Sequence, residues 1–123
     1  MTFFIFPHDE RTPIDAEKVL AWLQSRAEVV SIRECTDRVA ALRWTVDCDG
    51  ATFECRLAID GSAMWADYDV EAACEHLCEF ARTWSVPMDL CDEEYSAHIH
   101  LHDRRGSETP WAELVRMWSE AEN

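Results

Sequence analysis

Two stretches of strict alternation, joined by an Asp-Gly pair, constrain this chain more than any other feature. From Val39 to Asp47 and from Thr52 to Ile59, apolar residues recur at every second position. That is the period of a strand with one buried face. Leu42, Trp44 and Val46 form one inward row, and Phe53, Cys55, Leu57 and Ile59 form the other. Asp49-Gly50 supplies the turn chemistry of a tight hairpin. An antiparallel hairpin with one apolar face needs another layer to cover it.

The remaining segments supply that layer and more strands. Phe3 to Phe6 and Val29 to Arg33 read as short strands. Thr12-Pro13-Ile14-Asp15 predicts a helix start, with Thr12 as N-cap and Pro13 in the first turn. This helix runs to about Arg26, with Ala16, Val19, Leu20, Leu23 and Ala27 on one face. A second helix follows Asp67-Tyr68-Asp69. Its apolar face is Val70, Ala73, Cys74, Leu77, Cys78 and Ala81, and Ser85-Val86-Pro87 ends it. Strands are expected near Met88 to Cys91 and from Ser96 to His102. Thr109-Pro110 then opens a last helix, with Trp111, Leu114, Val115 and Trp118 on its apolar side. The expectation is one α+β domain over residues 1–123, a mainly antiparallel β-sheet with helices packed on one face. The predicted order is β-α-β-β-β-α-β-β-α.

Charge limits the function classes. Eleven Lys+Arg against 25 Asp+Glu give a net charge of −14. Such a field repels phosphate backbones and anionic lipid and attracts basic proteins or cations. Direct nucleic-acid and membrane binding are therefore not expected. No apolar run approaches the roughly 20 residues of a membrane span. Met1 to Glu10 lacks the basic start and cleavage site of an export signal. The chain thus reads as cytoplasmic, with Cys35, Cys48, Cys55, Cys74, Cys78 and Cys91 reduced.

Signatures of nucleotide-cradling loops, nucleophile elbows and zinc proteases are absent, and Gly50, Gly61 and Gly106 are isolated. No enzyme activity is called for. Cys74 and Cys78 share a helix face that His76 does not, which suits core packing better than metal binding. His98-Ile99-His100-Leu101-His102 is the sharpest local pattern. On a strand its three imidazoles point one way, as metal ligands can. Further ligands are not identifiable, so the expectation is a histidine-rich surface with no tightly held metal or other cofactor.

Two acidic clusters remain. One holds Asp60, Asp67, Asp69 and Glu71, and the other Asp89, Asp92, Glu93 and Glu94. Following the chain direction, both loops are expected at one end of the sheet, with Trp65, Tyr68 and Tyr95 among them. Trp65, Asp67, Tyr68, Asp69, Asp89, Asp92, Glu93, Glu94 and Tyr95 would form a surface for a basic partner protein, aromatic anchors set within steering charge. In size, charge and location the chain resembles bacterial immunity proteins. That resemblance implies a non-enzymatic inhibitor of a nuclease or other toxin. A DNA mimic acting against a restriction or CRISPR effector is the near alternative. A metal-binding protein or enzyme using His98, His100 and His102 is another. A structural subunit docking through Trp111 and Trp118 is a third.

Overall fold

A computed structural model describes residues 2–35, 38–48, 50–67, 71–104 and 106–121 (for Asp103 and Ala121 the backbone alone). Seven strands form one antiparallel sheet: β1 (Phe3–Pro7), β2 (Val29–Glu34), β3 (Ala40–Cys48), β4 (Ala51–Ala58), β5 (Met64–Ala66), β6 (Met88–Asp92) and β7 (His98–His100). The helices are α1 (Ala16–Gln24), α2 (Glu71–Thr83) and α3 (Pro110–Ala121), and a 3₁₀ turn covers Leu101–Asp103. Strand order is β2-β3-β4-β5-β1-β6-β7. The α+β class and the antiparallel sheet under helices are as the sequence predicts.

Alternation decides the two faces. Leu42, Trp44, Val46, Phe53, Cys55 and Leu57 are buried toward the helices, with Phe3, Ile5, Met64, Met88 and Leu90. Val19 and Leu23 of α1, Ala73, Cys74, Leu77 and Phe80 of α2, and Leu114 of α3 complete the cluster. Among the described residues, the other sheet face carries no helix. Phe4, Phe6, Arg43, Glu54, Arg56 and Trp65 stand there, each only partly buried.

Several details depart from expectation. The three-residue β5 is too short to show a period, yet it pairs with β4 (Cys55↔Ala66, Leu57↔Met64) and β1 (Phe4↔Trp65). Asp15, not Thr12, caps α1, accepting from the Glu17 amide. Thr12 cannot cap because the Ile14 amide instead donates to the Gly61 carbonyl at 2.8 Å, which holds residues 12–14 extended. α1 ends at Gln24, so Ala27 falls outside it. Ile59 is 52% exposed because β4 stops at Ala58 and turns. Val115 is 41% exposed, off the apolar side of α3. β7 ends at His100, and the 3₁₀ turn takes up Leu101 and His102.

His76 also lies elsewhere than expected. α2 buries a broad face, His76 included. The Trp44 indole N–H donates to His76 Nε2 at 2.9 Å, and Trp22 lies against the same ring. All six cysteines are free, with Cys55, Cys74, Cys78 and Cys91 buried. Among the described residues, no helix is long and apolar enough to cross a membrane.

Candidate functional site

The register of β1, β6 and β7 builds the most concentrated chemistry on the helix-free face. Phe6 pairs with Asp89, Asp89 with His100, and Cys91 with His98. Asp89 therefore points away from the core, yet its side chain is only 3% exposed. Imidazoles wall it in. His100 Nδ1 lies 2.9 Å from Asp89 Oδ1, while His98 Nε2 and His8 Nδ1 each lie 3.0 Å from Oδ2. His102 Nδ1 stands 3.9 Å from Oδ1. Burial alone would raise the Asp89 carboxyl. Hydrogen bonds from His100, His8 and His98 more than offset this, and the group stays below the ordinary carboxylate value.

Local structure explains the convergence. Strand alternation puts His98 and His100 on one side, and the 3₁₀ turn swings His102 back so that its ring lies 5.8 Å from His100. His8 follows Pro7 at the end of β1. Its amide donates to the Pro87 carbonyl at 2.9 Å, which presents the ring 5.1 Å from those of His100 and His102. Ligand atoms of His8, Asp89 and His100 all lie within 4.8 Å of one another. Beside them a cleft of about 780 Å³ opens, walled by Phe4, Phe6, Pro13 and Tyr95 and rimmed by Glu10 and Asp60.

Sequence reasoning found His98, His100 and His102 but placed Asp89 on a partner surface. It missed His8, which lies 81 residues from Asp89 in the chain. Only the central position of β1 brings them together. A signal existed in that Pro7-His8 ends an apolar strand, but sequence alone does not say which strand is its neighbour.

The acidic loops are arranged differently from the expectation. Because β5 reverses the chain, Asp60 and Asp67 lie at opposite ends of the sheet. Asp60 joins the cleft beside the histidines. Asp67 lies near the start of β1, its amide donating to the Glu54 carbonyl. Glu93 is at that same end, its amide donating to the Thr2 carbonyl. Asp89 and Asp92 cannot belong to an exposed partner surface as expected, being 2% and 0% exposed. Asp92 faces the core, accepting hydrogen bonds from the Ser96 hydroxyl and the Ala97 amide. Burial opposes its charge, but these bonds prevail and lower its pKa. Trp65 is part of a strand rather than a loop. Glu93, Glu94 and Tyr95 are exposed, Tyr95 at 73% with φ 57°. Tyr68 and Asp69 lie outside the described residues.

In comparisons with known proteins, the chain matches no family model, no curated protein and no solved structure.

Proposed function

We propose that the protein binds one divalent transition-metal ion of the zinc class through His8, Asp89 and His100. The observation that carries this reading is the buried Asp89 carboxylate, on which three imidazole nitrogens converge, one from the end of β1 and two from β7. Two imidazoles and a carboxylate are a common donor set for such ions. Bond lengths of about 2.0–2.2 Å need only small side-chain shifts from the spacing present. His98, also bonded to Asp89, holds the carboxylate in place or serves as a further ligand. The adjoining cleft leaves one side of the ion open to a small molecule.

Titration of metal-free protein with Zn²⁺ and Co²⁺ tests this. One equivalent should bind with Kd below about 1 μM, and Co²⁺ should develop visible absorption of a low-coordinate site. His8→Ala and Asp89→Asn should each weaken binding by about 10-fold or more. Retention of full affinity in both variants would sink the proposal.

A second reading, an inhibitor of a basic protein resembling an immunity protein, draws support from the exposed turn after β6. There Tyr95 stands beside Glu93 and Glu94. Charge at an interface rim acts mainly on association rate. Association with a captured basic partner should slow steeply as salt shortens the screening length from about 10 Å to about 3 Å. Glu93→Lys with Glu94→Lys should slow it further. Salt-independent association would count against this reading.

A further inference from the structure

A row of side chains crosses the helix-free face at right angles to the strands. Register sets it: Arg33 opposes Arg43, Arg43 opposes Arg56, Arg56 opposes Trp65, and Trp65 opposes Phe4. Three of the chain's eleven Lys+Arg stand side by side here, in a molecule of net charge −14. Like charges directly opposite on neighbouring strands are destabilising. Glu54 is shared by all three guanidiniums, at 3.8 Å from Arg33, 3.6 Å from Arg43 and 3.5 Å from Arg56. Asp67 adds a contact to Arg56 at 3.4 Å. These four contacts are longer than the charge-assisted hydrogen bonds of about 2.7–2.9 Å that guanidinium forms with a well-placed carboxylate. Arg56 Nε is buried with no hydrogen-bond partner.

Planar guanidinium forks match phosphate, and Trp65 and Phe4 extend the row with aromatic surface. The Trp65 and Phe4 rings lie 6.3 Å apart and tilted by 53°. With neighbouring strands about 4.8 Å apart, Arg43 to Phe4 spans about 14 Å, and Arg33 stands about 5 Å further out with a side chain long enough to reach back. The span from Arg43 to Phe4 is the reach of a base, a sugar and one or two phosphates. The overall negative field disfavours a long polyanion and leaves a small phosphorylated ligand as the better occupant.

We propose that this row is a nucleotide-binding site, with phosphate on Arg33, Arg43 and Arg56 and the base against Trp65 and Phe4. It adjoins the metal centre on the same face, because Phe4 also walls the cleft beside His8, Asp89 and His100. Calorimetric titration of the full chain with ADP, adenosine, inorganic phosphate and a single-stranded oligothymidylate tests it. ADP should saturate one site, and adenosine and phosphate should each bind at least about 10-fold more weakly, since each lacks half of the recognised chemistry. Arg33→Gln and Arg56→Gln should each weaken ADP by about 10-fold, and Arg33→Gln, at a 67% exposed position, should do so without lowering the melting temperature. Trp65→Leu should weaken ADP and adenosine by a similar factor. The proposal is overturned if ADP shows no saturation by about 5 mM, a concentration beyond any useful affinity. It is equally overturned if adenosine binds as well as ADP, if the arginine variants bind normally, or if the oligonucleotide binds more tightly than ADP.

Discussion

The His76 ring receives the Trp44 indole N–H on Nε2, so its own proton sits on Nδ1, which lies 3.7 Å from Glu28 Oε1. Burial disfavours the imidazolium and lowers the pKa to about 4, although Glu28 pulls the other way and Arg26 adds to the lowering. Charging the ring would also break the Trp44 bond. The folded-state value is thus below the ordinary one, so the unfolded chain takes up the proton first. Stability from this group is complete above about pH 6.5 and is lost as pH falls toward 4. From pH 7 to pH 5 the expected loss is about 2 kcal/mol. Urea unfolding of the protein and of His76→Gln at both pH values isolates it: the variant should lose less on acidification, and parallel curves would show that His76 is not responsible. The helical period placed His76 on the outer side of α2. Its burial could not be read because it depends on α1 bringing Trp22 over that side.

At the scale of elements, hairpin chemistry and long periods were legible while short pieces were not. β3 and β4 declare themselves through eight or more alternating residues each. β5 has three, and its existence depends on β1 and β4 presenting open edges on either side. Missing it inverted the inferred direction of everything after it, which is why the acidic loops were expected to share one end. Gly61 fixes this region. It has φ +73°, and a Cβ there would meet the Ile14 carbonyl oxygen at 2.5 Å. Gly61→Ala combines a left-handed backbone with a backbone collision and should cost about 2–4 kcal/mol. Gly50, at φ +80° with nothing within 4 Å of such a Cβ, should cost only about 1 kcal/mol on the same change. Chemical denaturation of the two variants compares them directly, and equal losses would refute the role given to the Ile14 contact.

Across the whole molecule, the thiols report on burial. Cys55, Cys74, Cys78 and Cys91 are inside, and Cys35 and Cys48 are partly open. Burial pushes the Cys55 thiol up, and raises that of Cys91 to about 11. A thiol reagent should therefore modify two cysteines quickly in the native protein and the other four only as it unfolds. Mass spectrometry after timed alkylation would count them, and rapid modification of five or six would contradict this packing. The candidate metal site was half legible, since the three spaced histidines share a local pattern and Asp89 meets them across the neighbouring β6-β7 pairing, while His8 joins them only through the long-range pairing of β1.

That pairing has a consequence in time. Among the described residues, β1 is the one strand joining β2-β3-β4-β5 to β6-β7, because it lies between β5 and β6. During synthesis Phe3–Pro7 emerges well before its second partner, Met88–Asp92. At about 5–20 residues per second, the strand waits on the order of 4–17 s for that partner. Throughout that interval a phenylalanine-rich segment has unfilled hydrogen bonds along at least one edge. The nascent chain is therefore most open to chaperone capture, or to pairing with a neighbouring chain, before Met88–Asp92 has left the ribosome.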